Sequence, residues 1–465
     1  MTNYFRRSVL PSRLVTRQPL KIALRNSNPP LFLSRPYTNS APNESASFAW
    51  KKKWDPVQIY LRSINWKQRI SGLWGLLWRG GAVFLTGDLV YLWWVSQSNE
   101  RRVNKFMEKG TRPQDTVSED KLIPRPEIVE RLKKIFQPGE DHSYYHVVCG
   151  EHGTGKTTLT VKVAREIGKG VIYVDTPADI EEFGNSFGKA LNLIFDEDAM
   201  LTLRLKRKFF GYTKDELDPK WKRAFRAFKH ASEVYKAKHG KPPVIIYDNI
   251  SRIFNENPKI LDILQDDAKD NADDSKYIAV FVSSEGSVPR RMESRSAWSR
   301  ADKPVMEIGD LSEKESIDYL INKRKINSVE AKKLYELVGG RIVDLKSVAG
   351  KFLAGQSFEV IKQQILTEVK KKFGSAGLLR NQSHHEAGKH VISALLDSKE
   401  IDTDVFREFF KDKEFGEVLE ANVFAYHPSR DTVTFQSQSV ECYIRENASS
   451  ILISGEMTLR AWTTE

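Results

Sequence analysis

The stretch GEHGTGKT, residues Gly150–Thr157, decides the fold and is called the phosphate loop below. Glycines let backbone N–H groups curl around an anion, Lys156 reaches terminal phosphates, and Thr157 offers a hydroxyl to Mg²⁺. An apolar run, Tyr145–Cys149, precedes the loop, and apolar residues at helical spacing follow it as far as Ile167. Strand, glycine-rich loop and helix in this order predict that phosphate binds at the N-terminus of the helix.

The predicted nucleotide-binding residues belong to the loop and to the helix that follows it. They are Gly150, Gly153, Thr154, Gly155, Lys156, Thr157 and Thr158. The cofactors that this loop predicts are ATP and Mg²⁺.

Three further apolar runs predict strands that alternate with helices, as in a parallel α/β sheet. They are Gly170–Pro177, Pro242–Ser251 and Lys276–Ser287. The second run reaches Asp248, and the third reaches Ser283 and Ser284. Ligands of such sheets bind at the carboxyl ends of the strands, so these side chains are expected near the loop. We predict that Asp248 holds Mg²⁺ together with Thr157, and that Ser283 or Ser284 senses the γ-phosphate or the attacking water.

The residue after Asp248 raises the question of hydrolysis. Many ATPases place a glutamate there to activate water, whereas this chain has Asn249. An amide cannot accept a proton as a carboxylate can, although it can orient water by hydrogen bonds. Glu285 and Glu151 are alternative carboxylates, but neither occupies the matching position. We therefore expect slow hydrolysis, with the nucleotide acting as a conformational switch.

These segments resemble the AAA+ superfamily of P-loop ATPases over roughly residues 121–450, and most closely the archaeal-type and STAND-like members related to replication initiators. The resemblance is carried by LIPRPEIVERL, GEHGTGKTT, VIIYDN, FVSSEG, IGDLSEKESIDYL and LVGGRIVDLKSVAG. It implies a helical lid after the sheet domain, opened by Ser312 as N-cap with Glu315 three residues later. It also implies that Arg341 is a second sensor of the nucleotide. Two or three helices and a hairpin after residue 376 resemble a winged helix.

The predicted fold class is therefore α/β, with a parallel-sheet P-loop core, a helical lid and a C-terminal winged-helix-like domain. The predicted boundaries are 1–40 for a mitochondrial transit peptide, 41–120 for a membrane-associated or single-span segment with a linker, 121–308 for the ATPase core, 309–375 for the lid and 376–465 for the winged-helix-like domain.

Four arginines follow the last predicted strand of the core: Arg290, Arg291, Arg295 and Arg300. The resemblance implies that one of them acts on the γ-phosphate of a neighbouring subunit in a homo-oligomer. The alternative is a solvated basic loop.

Positive charge is concentrated at the N-terminus. The chain of 465 residues has a net charge of +12, and the first 43 residues account for +7 because they contain no acid. An Arg-rich segment without acids is typical of a mitochondrial transit peptide, and the alternative is a disordered basic tail. We expect a mitochondrial protein of the matrix or inner membrane. The two cysteines, Cys149 and Cys442, exclude a disulfide framework and a zinc cage.

Residues 72–95 are apolar and carry tryptophans at both ends, as membrane-spanning helices do. Arg79 and Asp88 oppose a span, because a charge near the bilayer centre costs about 2.5–3.5 kcal/mol. The alternative is an amphipathic helix that lies on a membrane or packs on protein. Residues 99–121 are charged and are predicted to form a linker.

The densest basic region contains Trp221, Phe225 and Phe228 on one helical face, surrounded by lysines and arginines. It predicts an amphipathic helix packed on the sheet, or alternatively a contact to nucleic acid or anionic lipid. The predicted hairpin of the winged helix offers only Arg430 beside Asp431 to a nucleic acid.

Different classes of function stay open at this point. The first is an ATPase that couples ATP to the remodelling of an unknown protein partner. The second is a nucleotide-binding scaffold with negligible turnover. The third, with less support, is a nucleic-acid maintenance factor that acts through the winged helix.

Overall fold

The computed structural model describes residues 77–114, 122–195, 218–410 and 412–451. The predicted transit peptide, residues 1–40, lies outside the described residues. The elements of the first part are, in chain order, α1 (Leu77–Lys109), α2 (Pro126–Phe136), β1 (His146–Cys149), α3 (Lys156–Ile167), β2 (Val171–Asp175), α4 (Ile180–Ala190), α5 (Lys220–His239), β3 (Val244–Asp248), α6 (Ser251–Glu256), α7 (Pro258–Asp273), β4 (Ile278–Val282), α8 (Ser287–Glu293) and β5 (Met306–Glu307).

The five strands form one parallel sheet in the order β2-β3-β4-β1-β5. Both faces of the sheet are covered, which explains why the strands are continuous apolar runs. In β3, Ile245 and Tyr247 belong to one core cluster, and Val244 and Ile246 belong to the cluster on the other face. The predicted parallel α/β fold is confirmed. Strand β5 was not predicted, because a strand of two residues is too short to show an apolar pattern.

A group of helices follows the sheet. They are α9 (Glu313–Asp318), which continues as a π-helical turn over Tyr319–Lys323, α10 (Ser328–Val338), α11 (Ile342–Leu353) and α12 (Phe358–Ser375). Helix α9 begins with the predicted capping box, in which Ser312 and Glu315 exchange side-chain and backbone hydrogen bonds. Helix α12 takes part in two apolar cores. Ile361 lies in the core of the helices that follow the sheet, and Phe373 lies in the core of the C-terminal domain.

The C-terminal domain contains α13 (His385–Ser398), β6 (Ile401–Asp402), α14 (Thr403–Phe409), α15 (Asp412–Glu420), β7 (Phe424–His427), β8 (Thr432–Phe435), α16 (Gln438–Glu446) and α17 (Ala448–Ile451). Its small antiparallel sheet has the order β6-β8-β7. We call Phe424–Phe435 the C-terminal hairpin. Helices α13 to α15 before the hairpin and α16 and α17 after it pack with the hairpin around one apolar core, which is the winged-helix-like arrangement predicted from the sequence.

Helix α1 corrects the predicted linker over residues 99–109, whereas residues 115–121 of that prediction lie outside the described residues. The helix runs without interruption to Lys109, and Val103 and Met107 lie in the main core cluster. The prediction was wrong because two apolar residues four positions apart suffice for a buried stripe, even when their neighbours are charged. None of the helices in the described ranges is both long and apolar enough to cross a membrane.

The basic helix α5 packs as an amphipathic helix. Trp221, Phe225 and Phe228 are buried in the main core cluster, where their rings pack at tilted angles against aromatic residues of α4. Several of its basic side chains are paired with acids, among them Arg226 with Asp218, Lys229 with Asp267 and Lys238 with Glu108. The aromatic face is therefore not available to a nucleic acid or a lipid surface.

The packing of α1 on the core is tested by Met107→Ala. Met107 is 1 % exposed, and removing such a side chain costs about 2–5 kcal/mol through lost burial and a residual cavity. We expect a loss of this size in the free energy of unfolding, measured by urea denaturation. Val90→Ala is the matched control, because Val90 lies on the same helix and is 65 % exposed. Equal stability of the two variants would contradict the packing.

Candidate nucleotide-binding site

The phosphate loop joins β1 to α3 and has the backbone that its glycines permit. Gly150, Gly153 and Gly155 all have positive φ angles, of 142°, 87° and 91°. At Gly150 a Cβ atom would lie 2.3 Å from the carbonyl oxygen of Ile308, so this position excludes every other residue. Gly155 directly precedes α3, where backbone N–H groups favour an anion. His152, within the loop, is exposed.

Lys156 is the buried cation of the loop. Its Nζ donates to the Glu151 carbonyl oxygen at 2.6 Å and to Thr154 Oγ1 at 3.3 Å. Burial lowers the pKa of the Lys156 ammonium to about 8. A cation held inside a loop of this geometry is suited to pair with a phosphate group.

Asp248 and Thr157 meet at the carboxyl edge of the sheet. Thr157 Oγ1 lies 3.4 Å from Asp248 Oδ1. Asp248 Oδ1 also accepts the Asn249 backbone N–H at 2.9 Å, and Asp248 Oδ2 accepts the Tyr173 hydroxyl at 2.7 Å. Burial raises the pKa of the Asp248 carboxyl, against these hydrogen bonds, which lower it.

The oxygens of Thr157 and Asp248 fit Mg²⁺. Magnesium binds one or two protein oxygens and takes its remaining ligands from phosphate and water. Within the described residues, no group of three or more His, Cys, Asp or Glu side chains is placed to hold a metal. A bound Mg²⁺ would neutralise phosphate charge, and Thr157 and Asp248 would hold it.

Tyr173 is a site residue that no sequence motif marks. It lies on β2, two residues before Asp175 and therefore on the same face of the strand. Burial, and then the neighbouring charge of Asp248, raise the pKa of its hydroxyl, which therefore acts as a hydrogen-bond donor. Tyr173 fixes the rotamer of Asp248 from the neighbouring strand.

The side chain of Asn249 is directed to the neighbouring strand. Its Nδ2 donates to Asp175 Oδ1 at 2.8 Å, and its backbone has a φ of 57°. Asn populates this left-handed region more readily than most residues. The predicted water-orienting amide is thus paired with a carboxylate that sequence patterns alone did not single out.

Ser283 and Ser284 lie at the end of β4, as predicted. Ser283 is buried, and its Oγ donates to the Glu285 carbonyl oxygen and accepts the Glu285 backbone N–H. Its hydroxyl therefore closes the turn after the strand. Ser284 is half-buried, and its role as a sensor stays a prediction.

Arg341, directly before α11, lies beside the phosphate loop. Its guanidinium donates to both carboxylate oxygens of Asp310, at 2.7 and 3.2 Å, and to the Gln436 carbonyl oxygen at 2.7 Å. A Cβ atom on Gly153 would lie 3.2 Å from Arg341 Cδ. The predicted sensor is therefore next to the loop, and its partners Asp310 and Gln436 were not predicted.

The four arginines considered for a neighbouring subunit all have partners in their own chain. Arg290 lies over the ring of Phe415, with 4.6 Å from its Cζ to the ring centroid. The other three pair with carboxylates of α7: Arg291 with Asp262, Arg295 with Asp262 and Asp266, and Arg300 with Asp273. In this conformation they stabilise the core and its contact with the C-terminal domain.

A cavity of about 290 Å³ lies between the phosphate loop and the C-terminal hairpin. Its lining includes Glu151, Arg341, His427 and Gln436. The hairpin is held there by polar contacts: Gln436 Nε2 lies 3.4 Å from Glu151 Oε2, and His427 Nδ1 lies 3.1 Å from Glu307 Oε2. The C-terminal domain thus contacts the nucleotide site directly.

Comparisons with known proteins agree with this geometry. Residues 123–348 match the model of a family described as an ATPase domain predominantly from Archaea. No curated protein matches the sequence of the chain.

Several solved structures are similar over most of their length. A Walker-type ATPase of Pyrococcus abyssi is 14 % identical, with a TM-score of 0.45, over 72 % of this chain and 98 % of that one. Cdc6p of Pyrobaculum aerophilum is 12 % identical, with a TM-score of 0.36, over 75 % and 97 %. The ORC1 protein of Aeropyrum pernix, in a complex with DNA, is 13 % identical, with a TM-score of 0.35, over 70 % and 94 %.

The phosphate loop, the parallel sheet around it and the matched family model agree with one another. Residues 123–348 are similar to the ATPase domains of a family found predominantly in Archaea.

Proposed function

We propose that this protein binds ATP with Mg²⁺ at the phosphate loop, hydrolyses it slowly, and uses the nucleotide as a switch that positions its C-terminal domain to remodel a protein partner. The observation that carries the proposal is the double attachment of Arg341. One guanidinium joins Asp310, at the start of the lid, to Gln436, the residue directly after the C-terminal hairpin. The same side chain contacts the phosphate loop at Gly153.

A second connection runs through Glu151. Its carbonyl oxygen accepts the hydrogen bond of Lys156, and its carboxylate lies within hydrogen-bond distance of Gln436. When Lys156 turns toward a phosphate, the Glu151 carbonyl oxygen loses the Lys156 ammonium and keeps only Thr154 as a donor. A ligand shifts an equilibrium only through contacts that differ between two states. Lys156, Glu151 and Arg341 supply such contacts.

Further polar contacts attach the hairpin to the sheet domain. Besides the pair of His427 and Glu307, the Tyr426 hydroxyl donates to Glu293 at 2.9 Å. Burial would raise the pKa of the Glu307 carboxyl, but hydrogen bonds from His427 and from the Ser429 backbone outweigh it and hold the pKa below its usual range. Water can replace contacts of this kind when the hairpin moves, which suits a reversible attachment.

Slow hydrolysis is proposed because the position after Asp248 carries an amide. A general base contributes typically about 10²–10⁴-fold to the rate of such a reaction. Without a carboxylate at that position, the ATP-bound state lasts longer. A nucleotide-binding scaffold with negligible turnover is the limiting case of the same proposal.

A mitochondrial location is part of the proposal, and the acid-free N-terminal segment supports it. Matrix and inner membrane are both compatible with this segment. The nucleic-acid alternative is weakened at the hairpin tip, because Arg430 pairs there with Glu400 at 2.9 Å. Binding of a protein partner is therefore preferred.

Lys156→Ala tests nucleotide binding. The variant loses the cation of the loop, so we expect the affinity for an ATP analogue to fall at least about tenfold, corresponding to about 1.4 kcal/mol. Fluorescence titration with a labelled ATP analogue measures it. Lys162→Ala is the matched control, because Lys162 lies on the same helix outside the loop. Equal affinities of the two variants would contradict the assigned site.

Arg341→Ala tests the attachment of the C-terminal hairpin. A hydrogen bond to a charged group contributes about 1.5–3 kcal/mol, and we expect the opening free energy of Phe424–Phe435 to fall by this amount. Hydrogen exchange of the hairpin amides, with and without ATP, measures it. We also expect ATP to change the protection of these amides in the wild type and not in Lys156→Ala.

Lys332→Ala serves as the control for Arg341→Ala. Lys332 lies on the same group of helices in an exposed pair with Glu336 at 3.9 Å, and such surface pairs contribute little. Hairpin protection that is identical in Arg341→Ala, Lys332→Ala and the wild type would show that Arg341 does not attach the C-terminal domain.

A further inference from the structure

Asp175 and Asn249 form a pair at the carboxyl edge of the sheet. Asp175 ends β2 and Asp248 ends β3, and the two are direct partners in the parallel register. Adjacent strands lie about 4.8 Å apart. Asp175 is therefore a carboxylate one strand away from the predicted Mg²⁺ ligand, at the same edge.

The backbone of Asp175 is fixed on both sides. Ser186 Oγ donates to the Asp175 carbonyl oxygen at 2.6 Å, and the Thr176 N–H donates to the Asp248 carbonyl oxygen at 2.9 Å. These bonds hold the end of β2 against the end of β3. The position of the carboxylate is therefore set by the sheet and not by a free loop.

One oxygen of the Asp175 carboxylate is engaged and the other is open. Asn249 Nδ2 donates to Oδ1 at 2.8 Å, and Arg252 Nη1 lies 3.5 Å from the same oxygen. In the described part of the chain, no residue forms a hydrogen bond or ion pair with Oδ2. The Asp175 side chain is 58 % exposed, so water reaches it.

Glu285 and Glu151, the alternative carboxylates suggested by the sequence, have other hydrogen-bond partners. Glu285 Oε2 accepts from Asn255 at 3.1 Å and lies 3.4 Å from the hydroxyl of Ser287. Glu151 turns its carboxylate toward Gln436, and burial raises its pKa. Asp175, in contrast, accepts a hydrogen bond from the side chain of Asn249, the residue after Asp248.

We propose that Asp175 activates the water that attacks ATP, and that Asn249 positions it. In many ATPases the acid directly follows the residue that corresponds to Asp248. Here the acid, Asp175, is at the end of β2, and the amide, Asn249, follows β3. Asp175 Oδ2 takes a proton from water while the water oxygen bonds to the γ-phosphorus. The bond from phosphorus to the β–γ bridging oxygen breaks, its electron pair stays on ADP, and phosphate leaves. The proton then passes from Asp175 to solvent.

This proposal rests on the proposed function, since it requires ATP at the phosphate loop. It also accounts for slow turnover. Aspartate has a shorter side chain than glutamate, and Asp175 approaches from the strand beyond β3. The amide of Asn249 cannot take the proton, but its hydrogen bond holds Asp175 Oδ1 so that Oδ2 is available.

The test is Asp175→Asn, which keeps shape and removes the base. We expect phosphate release in a single turnover to fall by about 10²-fold or more, while the affinity for ATP stays within about twofold. Binding of ADP with aluminium fluoride, which mimics the attacked phosphate, is expected to weaken by at least about tenfold. Asp179→Asn is the control: Asp179 caps α4 through its side chain, and asparagine caps equally well.

A second variant exchanges the two groups. Asp175→Asn combined with Asn249→Asp moves the carboxylate to β3, and aspartate tolerates the left-handed backbone of position 249. We expect this double variant to release phosphate at least about tenfold faster than Asp175→Asn alone. A double variant no faster than the single one would mean that the loss is structural, and would overturn the role of Asp175.

The remaining outcomes separate this proposal from the proposed function. Wild-type turnover retained in Asp175→Asn overturns the assignment of Asp175. Wild-type protein that binds ATP and releases no phosphate also overturns it, and leaves the ATP-dependent switch standing. Wild-type protein that does not bind ATP overturns the proposed function itself.

Discussion

The arrangement of the phosphate loop, the lid and the C-terminal hairpin depends on one constraint, the burial of the Arg341 guanidinium. A buried cation is strongly destabilising unless it is paired and hydrogen-bonded. The side chain is 4 % exposed, so Asp310 and the Gln436 carbonyl oxygen must both remain within reach. One residue thereby sets the distance between the lid, the C-terminal hairpin and the phosphate loop. Arg125 supports this junction by donating to the carbonyl oxygens of Gly309 and Asp310.

On the other side of the site, the parallel register of β2 and β3 fixes the positions of the side chains. It places Tyr173 where its hydroxyl reaches Asp248, and Asp175 where its carboxylate reaches Asn249. These contacts are cross-strand contacts between residues more than seventy positions apart in the chain. The carboxylate of Asp248, which faces the phosphate loop, and the carboxylate of Asp175, which faces water, therefore lie on adjacent strands. Each has its own hydrogen-bond donor.

The sequence predicted those parts of the fold and site that depend on neighbouring residues. The phosphate loop, the apolar strands and the capping box of Ser312 are local patterns, and the structure contains each of them. Tyr173, Asp310 and Gln436 have no local pattern, because their roles depend on which elements become neighbours after folding. Helix α1 was misjudged for a related reason. Val103 and Met107 are only two apolar residues in a charged segment, and the apolar surface on which they pack is formed by elements distant in the chain.

Helix α3 is restrained at both ends, and this determines which part of the molecule is free to respond to nucleotide. Its N-terminus carries the phosphate loop. Just beyond its C-terminus, the Gly170 N–H donates to the Met107 carbonyl oxygen, and a Cβ atom on Gly110 would lie 1.6 Å from the Gly168 carbonyl oxygen. Backbone contacts this close resist displacement. The C-terminal hairpin is attached mainly through side chains, which change partners at lower cost. The switch proposed above would therefore move the hairpin, with α1, α3 and the sheet as the fixed frame.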